Sequence, residues 1–234
     1  MRVLAVGAHP DDLEYLCGGT LAKYCQQGHK VFMTNLANGS RGSTTYSQEE
    51  LAEIRRGEAK AAADVIGAEY IPGGFVEDLE IYPNRFLRDK VTDLFRMTKP
   101  DVVLTLSSVD YSPDHTYTGQ LVFDASHAAT IPLYKTAYEA HANRVPILLM
   151  DSAAGLNFHP EEYVDISDTI ELKKEMLRCH KSQFAHLKSY RDQDLVDTAV
   201  LQSRFRGLQA GVEYAEGFRW LRVGFRVRTE RLLP

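Results

Sequence analysis

Cysteine, positive charge and long apolar runs are all scarce in this 234-residue sequence, and each scarcity excludes a class of protein. The three cysteines, Cys17, Cys25 and Cys179, are an odd number without a CxxC spacing, which argues against a disulfide framework and for a reducing compartment. No apolar run approaches the length that crosses a bilayer, and a strand pattern begins directly after Met1 and Arg2, without a signal peptide. We therefore expect a cytoplasmic protein.

Acidic residues outnumber basic ones, with 32 Asp and Glu against 27 Lys and Arg, which leaves a net charge of −5. A general nucleic-acid binder needs a basic surface to neutralise phosphates, so we expect no nucleic-acid partner. The hydrophobic share of 44% is ordinary for a globular chain that buries a full core. These figures favour a small-molecule substrate and no membrane partner, and they leave homo-oligomerisation open.

Strand and helix patterns alternate over the first two-thirds of the sequence. Apolar runs predict strands over residues 3–8, 30–36, 68–71, 101–106 and 145–150. Helices are predicted between them, over residues 13–27, 47–66, 84–98 and 115–129. In the second helix, Ser47 is the expected N-cap and Glu50 completes a capping box.

This alternation predicts one α/β domain over residues 1–234, a Rossmann-like three-layer sandwich with a mostly parallel sheet. The segment 169–217 is predicted to be mainly helical and to pack on the same domain. Residues 218–227 are predicted to add a last strand.

A histidine and two aspartates follow the first predicted strand directly, in the order His9, Pro10, Asp11, Asp12. Doubly wound sheets bind ligands at the carboxyl ends of their strands, which is where this tetrapeptide lies. His9 and Asp12 offer a nitrogen and an oxygen donor, a pair that suits zinc, while Asp11 is placed to take a proton from water. Two alternatives stay open at this point. The aspartates could cap the next helix, or the turn could hold a dinucleotide, although it lacks GxGxxG.

A further acidic and histidine-containing segment, Asp110 to His115, follows the strand predicted at residues 101–106. His115 can supply a third metal ligand, which would complete a site of two histidines and one aspartate with an open position for water. Asp114 is either the N-cap of the next helix or a partner that orients a ligand, and we expect the structural role.

Together the two segments resemble the LmbE-like, or PIG-L-type, zinc-dependent N-acetylglucosaminyl deacetylases, whose AHPDD signature reads from Ala8 to Asp12. Supporting matches are Asp12-Leu13-Glu14, Gly18-Gly19-Thr20, Arg55, Arg56, Glu58, Pro113-Asp114-His115 and His180-Lys181-Ser182-Gln183. The resemblance implies that zinc, or another divalent metal ion, is bound by His9, Asp12 and His115, with Asp11 as the general base. It also implies hydrolysis of the N-acetyl group of an N-acetylglucosamine-type sugar or glycoconjugate.

One position departs from the family pattern, because Ser112 stands where the family often has a histidine that polarises the substrate carbonyl or protonates the intermediate. We expect either that zinc and Asp11 carry more of the catalysis, or that His180 or His159 approaches from the C-terminal half. The predicted substrate contacts are Arg41, Tyr111, Ser112 and His180. Further candidates for the pocket are Asp78, Tyr190 and Glu216.

Two other functions are compatible with these residues. A related metal-dependent amidase would cleave another acylated amine or a thiol conjugate, and pocket size would distinguish it. A non-catalytic sugar-binding relative is disfavoured because His9, Asp11, Asp12 and His115 are all present, and only Ser112 favours it.

Overall fold

Seven strands and seven α-helices make up the part of the chain that the computed structural model describes, which is residues 1–191, 194–223 and 232–234. The strands are β1 (Arg2–Gly7), β2 (Lys30–Asn35), β3 (Glu69–Tyr70), β4 (Val102–Thr105), β5 (Ile147–Met150), β6 (Glu162–Asp165) and β7 (Ala215–Trp220). The helices are α1 (Asp12–Gln26), α2 (Gln48–Ile66), α3 (Arg85–Thr98), α4 (Pro113–Ala128), α5 (Ile170–Arg178), α6 (Lys181–Arg191) and α7 (Leu195–Ala210). Every strand and helix predicted in the first two-thirds of the chain is present.

All seven strands belong to one sheet with the order β3-β2-β1-β4-β5-β7-β6. The first five strands run parallel, and β7 pairs antiparallel with both β5 and β6. Parallel strands covered on both faces are apolar along their length, as the buried run from Val3 to Val6 illustrates. The predicted α/β class with a mostly parallel sheet is confirmed.

The helices lie in two layers, one on each face of the sheet. Right-handed crossovers carry α1 and α2 to one face while the chain moves outward from β1 to β3. The chain then returns past β1 to β4 and β5, so the same rule carries α3 and α4 to the opposite face. Contacts between helices agree, because α1 packs against α2, α5 and α7 while α3 packs against α4. The predicted three-layer sandwich is therefore confirmed.

A continuous apolar cluster fills the space between these layers, with Tyr24, Phe95 and Phe218 among its largest buried side chains. Full burial of a large apolar side chain contributes about 1.5–3 kcal/mol to stability. The three cysteines are free thiols. None of the helices in the described ranges is both long and apolar enough to cross a membrane.

Helix α2 begins and ends where the sequence indicates. The Ser47 hydroxyl accepts the amide of Glu50, and the Glu50 carboxylate accepts the amide of Ser47, so the predicted capping box is confirmed. Gly67 ends the helix in the left-handed conformation, with φ 74°, which glycine adopts without steric cost. The loop before this helix, residues 38–45, lies at the carboxyl edge of the sheet because it follows β2.

The C-terminal strands differ from the sequence prediction. Strand β6 is not among the predicted strands, because Glu162–Asp165 is a short polar edge segment in which only Val164 is buried. Strand β7 begins at Ala215, inside the segment predicted to be helical. Glu216 and Gly217 have low strand propensity and conceal the pattern, whereas pairing with β5 and β6 makes the segment a strand.

The last predicted strand and the fourth helix also have different bounds. Of residues 218–227, the first three belong to β7, the next three are irregular, and 224–227 lie outside the described residues. Helix α4 begins at Pro113, two residues earlier than predicted, with Ser112 as its N-cap. Proline is favoured in a first turn because its missing amide has no helical partner there. Asp114 and His115 therefore both lie in the first turn of α4.

Candidate metal centre

The two motifs meet where the strand order of the sheet reverses. Strands β1 and β4 are neighbours, yet the chain leaves them toward opposite edges of the sheet, and doubly wound sheets bind ligands at this position. His9 and Asp12 follow β1, and His115 follows β4. One ligand atom from each of these three residues lies within 4.8 Å of the other two. The fold thus brings together the three residues that the resemblance implies as metal ligands.

A strained turn at Asp11 positions the first motif. Asp11 has φ 111° and ψ −22°, a left-handed conformation that costs a non-glycine residue about 1–3 kcal/mol. The Asp12 carboxylate stabilises the turn by accepting the amides of Ala8 and His9, each at 2.8 Å. Asp11 is the N-cap residue of α1, but its side chain makes no capping hydrogen bond. The alternative that the carboxylates of Asp11 and Asp12 cap the helix is therefore wrong, although Asp11 occupies the N-cap position.

Each imidazole of the centre has a carboxylate on its outer side. His9 Nε2 lies 2.9 Å from Asp114 Oδ2, and His115 Nδ1 lies 3.1 Å from Asp110 Oδ1. The other ring nitrogens face Asp12, with His9 Nδ1 3.7 Å from Oδ2 and His115 Nε2 3.3 Å from Oδ1. Histidine ligands of metal ions ordinarily have such outer carboxylates, which fix the orientation of the ring.

Asp114 is an orienting residue and not a helix cap. The N-cap of α4 is Ser112, so the expected structural role of Asp114 is wrong. Besides contacting His9, Asp114 Oδ2 accepts the amide of Leu79 at 2.7 Å. Burial acts to raise the pKa of Asp114, but the hydrogen bonds from His9 and the Leu79 amide outweigh it and lower that pKa. Asp114 is thereby kept as an anion behind His9.

The electrostatics of the centre favour a cation between its donors. Burial acts to lower the pKa of His115, yet the charges and hydrogen bonds of Asp12 and Asp110 raise it to about 10. The pKa of His9 is likewise raised well above its usual value, because Asp114 and Asp12 outweigh the opposing effect of burial. Two nitrogen donors and one oxygen donor, in a pocket with surplus carboxylate charge, fit a divalent metal ion such as zinc.

Asp11 is placed to exchange a proton at this centre. It is 8% exposed, and no side chain or amide in the described ranges donates a hydrogen bond to its carboxylate. Burial and then the charge of Asp12 raise the pKa of Asp11 to about 7, while His180 and Arg55 act in the opposite direction. A buried carboxylate without committed hydrogen bonds can accept a proton during hydrolysis.

Of the two histidines considered as substitutes for the missing one, His180 is buried close enough to Asp11 for the two charges to act on each other. Its side chain is 1% exposed, and Nε2 lies 3.3 Å from Glu14 Oε1. Burial acts to lower the pKa of His180, but Glu14 and Asp11 raise it above the usual value. His159 is exposed in the connection before β6.

Two further predicted contacts lie beside His115 and its partner Asp110. Tyr111 is 63% exposed, and its ring stands edge-on to that of His115 with the centroids 5.4 Å apart. Ser112 is half-buried, and its amide donates to Asp110 Oδ1 at 3.1 Å. Tyr111 therefore presents an aromatic surface beside a metal-ligand candidate, while Ser112 helps to position the carboxylate behind that ligand.

The Arg41 side chain binds residues on either side of Asp78, and the Asp78 side chain binds the backbone on the loop that carries Arg41. The Arg41 guanidinium donates to the carboxylates of Glu77 and Glu80, at 2.7 and 3.2 Å. The Asp78 carboxylate accepts the amides of Gly39 and Arg41, at 2.9 and 3.0 Å. Both side chains are thus occupied by groups of the chain itself.

The other two pocket candidates differ in outcome. Glu216 is not at the pocket, because its carboxylate is buried against α1, where it accepts the amides of Gly19 and Thr20 and pairs with Lys173. The sequence cannot reveal that Glu216 pairs with Lys173, because the two residues are 43 positions apart. The side chain of Tyr190 lies outside the part of the chain that the structure describes.

Two residues beside the centre are not assigned a role by the sequence. Asp110 lies behind His115. The only sequence feature that indicates a role for Asp110 is its position four residues before Asp114. Arg55 is 4% exposed under the loop of residues 38–45, and its guanidinium donates to Gln183 on α6. A side chain at Gly39 or Gly42 would collide with this arginine. The two glycines are therefore the sequence feature that indicates close packing of Arg55 under the loop.

Known proteins similar to this chain are mainly deacetylases. The PIG-L family model, described as GlcNAc-PI de-N-acetylase, matches residues 4–126, more than half of the chain and all three candidate ligands. The diacetylchitobiose deacetylase of Thermococcus kodakarensis is 30% identical over 225 residues, which is 94% of this chain and 83% of that protein. The 4-oxalmesaconate hydratase of Pseudomonas putida is 27% identical over 231 residues, or 92% of this chain and 86% of that protein.

A solved structure has the same fold over nearly the whole chain. The N,N'-diacetylchitobiose deacetylase from Pyrococcus horikoshii, in complex with its inhibitor MPG, superposes with a TM-score of 0.82 and 29% identity. The likeness covers 94% of this chain and 83% of that one. Sequence and fold therefore agree on the same group of proteins.

Proposed function

This chain belongs to the PIG-L family of deacetylases, which are hydrolases of amides, and on that premise we propose that it removes the N-acetyl group from an N-acetylglucosamine-type sugar or glycoconjugate. The observation that carries the proposal is the approach of His9, Asp12 and His115 to within 4.8 Å at the switch point of the sheet. The diacetylchitobiose deacetylases that it resembles act on an N-acetylated sugar by name, which supports the substrate class.

We propose zinc as the metal, because two imidazole nitrogens and one carboxylate oxygen match its preferred ligands. His9, Asp12 and His115 would hold the ion, while Asp114 and Asp110 orient the two rings. When bound, such an ion polarises the amide carbonyl and makes water more acidic. Another divalent ion with similar preferences would fit the same donors.

Asp11 is the general base in this proposal. Its carboxylate neighbours Asp12 and has no capping function, so it is free to take a proton from the attacking water. Attack on the carbonyl carbon forms the C–O bond, and the proton held on Asp11 Oδ then passes to the amine as the C–N bond breaks. Acetate and a free amino sugar leave, and no covalent intermediate with the protein is needed.

We propose that His180 supplies part of the positive charge that a histidine at Ser112 would give. Its buried imidazole is paired with Glu14, and its charge acts on Asp11. Tyr111 is proposed to contact the sugar ring, because its exposed aromatic face lies beside His115. Ser112 is proposed to contact the substrate at the start of α4, where it is half-buried.

A hydratase is the second candidate, because the near-full-length relative from Pseudomonas putida bears that name. Both reactions use an activated water, and they differ in whether water adds to a carbonyl or to a carbon–carbon double bond. An amidase that acts on another acylated amine or on a thiol conjugate would use the same centre. Retention of Asp11 and of all three ligand candidates disfavours a non-catalytic sugar-binding protein.

The deciding experiment incubates the zinc-loaded protein with N-acetylglucosamine, diacetylchitobiose, aryl N-acetylglucosaminides and 4-oxalmesaconate, and measures acetate, free amine and loss of the conjugated double bond. We expect acetate and amine in equal amounts from at least one sugar, and both at about a hundredth of the parent's rate or less from the Asp11→Asn variant. Hydration of 4-oxalmesaconate without acetate from any sugar would replace the deacetylase proposal with the hydratase. Turnover of none of these compounds by the metal-loaded protein would contradict both.

A further inference from the structure

We infer that Arg41 is a positioning residue for the metal centre and not a substrate contact, and that it acts through a relay of Leu79, Asp114 and His9. The inference rests on the proposed function only in requiring that the centre bind a metal ion. Arg41 itself lies on the loop after β2, and its guanidinium contacts Glu77, Asp78 and Glu80 and none of the three candidate ligands.

Arg41 joins this loop to a turn that precedes α3. Its Nη1 donates to the carbonyl oxygen of Asp78 at 2.6 Å, and its Nη2 donates to Glu77 at 2.7 Å and to Glu80 at 3.2 Å. The Asp78 carboxylate completes the connection by accepting the amides of Gly39 and Arg41. A planar guanidinium can bridge two carboxylates and a carbonyl at once, which a lysine ammonium on a flexible stem does less well.

The turn that Arg41 holds is strained. Leu79 has φ 68°, a left-handed conformation that costs a non-glycine residue about 1–3 kcal/mol and persists only where its surroundings fix it. The Leu79 side chain is 58% exposed, so packing contributes little to holding it. The Glu80 amide closes the turn onto the Glu77 carbonyl at 3.2 Å, and the Arg41 side chain binds both of these residues from outside.

The strained turn presents one amide to the metal centre. The Leu79 amide donates to Asp114 Oδ2 at 2.7 Å, and the same oxygen lies 2.9 Å from His9 Nε2. A carboxylate oxygen held from two directions fixes the plane of the imidazole, so that Nδ1 faces Asp12. If the turn relaxes, Asp114 Oδ2 loses the Leu79 amide and His9 gains rotational freedom.

The same contacts argue against a substrate role for Arg41. Both terminal nitrogens of its guanidinium are bound within the chain, so a substrate anion would have to displace two carboxylates. Glu77, Asp78 and Glu80 also make the surroundings negative, which repels an anion. The positioning role accounts for these contacts without any displacement.

The test measures zinc affinity by competition with a chromophoric chelator, which needs no substrate. Removal of an outer-shell partner typically weakens metal binding 10–100-fold, so we expect Asp114→Ala to fall in about that range. Arg41→Ala acts one step further out, and we expect a loss on the order of threefold to tenfold, with Arg41→Lys between it and the parent. Arg85→Ala, which removes an exposed arginine paired with Asp89 away from the centre, should leave the affinity unchanged.

A double-variant cycle separates the relay from a general structural effect. In the Asp114→Ala background, Arg41→Ala should have no further effect on zinc affinity, because the relay is already broken. Full additivity of the two losses, or parental affinity in Arg41→Ala, would overturn the inference, as would a raised KM at unchanged zinc affinity. If Asp114→Ala does not fold by circular dichroism, Asp114→Asn takes its place in the cycle. Failure of the parent itself to bind zinc would overturn the proposed function together with the inference.

Discussion

Replacing Lys173 with methionine should destabilise this protein strongly, because it leaves a carboxylate buried without its cation. Lys173 and Glu216 are 1% and 2% exposed, and Nζ lies 2.5 Å from Oε1. Lys173 Nζ also donates to the Tyr15 carbonyl at 2.6 Å, in the first half of α1. Removing one partner of a buried ion pair typically costs about 3–5 kcal/mol, whereas an exposed pair contributes about 0–1 kcal/mol.

The structure places the expected loss at the lower end of that range. After the substitution the Glu216 carboxylate keeps the amides of Gly19 and Thr20, at 3.0 and 2.8 Å, so it is not left without any hydrogen bond. We therefore expect a loss of about 3 kcal/mol in the free energy of unfolding. For a chain of this length the melting temperature changes by about 2–4 °C per kcal/mol, so Tm should fall by roughly 6–12 °C.

The neighbouring residue offers a matched control. Lys174 pairs with Glu171 on the surface of the same helix, with side chains that are 20% and 70% exposed. Lys174→Met should change the free energy of unfolding by less than about 0.5 kcal/mol in a urea titration followed by circular dichroism. If Lys173→Met and Lys174→Met unfold at the same urea concentration and temperature, the buried Lys173–Glu216 pair contributes no more to stability than the exposed Lys174–Glu171 pair.

Four other substitutions test the site and the packing. Asp11→Asn should retain the metal and lower kcat by about 10²–10⁴-fold, and near-normal turnover with bound metal would move the general base elsewhere. Gly73→Ala should destabilise the protein by at least about 1–3 kcal/mol in urea unfolding, because its Cβ would collide with the Asn35 carbonyl, whereas Gly57→Ala in open space on α2 should stabilise it by about 0.5–1 kcal/mol. Ser112→His should leave kcat/KM equal or lower, since an added ring seldom meets the positional tolerance of a site built around other residues, and a large gain would show that nothing replaces the missing histidine.

The element order and the approach of the two motifs could be predicted because both depend on local patterns. Apolar runs mark the strand ends, and parallel strands place His9 and His115 at one edge of the sheet. The sequence does not reveal the partners of side chains that meet far along the chain. Arg41 is 36 residues from Glu77. At that separation the sequence could not show whether the Arg41 guanidinium is free or paired.

Backbone conformation was equally hidden from the sequence. The residue type gives no indication that Leu79 is left-handed and only a weak one for Asp11, because both conformations depend on contacts made in the folded protein. For Asp11 these contacts come from the neighbouring Asp12 carboxylate on the preceding amides, and for Leu79 from Asp114. Strained residues at a site are therefore found in the structure and not in the sequence.

The most direct test of the central claim is the metal content of the purified protein and of its His115→Ala variant, measured by elemental analysis. Three protein ligands and an open position predict about one divalent ion, zinc by preference, per parent chain. His115→Ala should have lost most of that metal, while Asp11→Asn, prepared in parallel, should retain it. A His115→Ala variant that is folded and carries as much metal as the parent would contradict the assignment of His9, Asp12 and His115 as the metal centre.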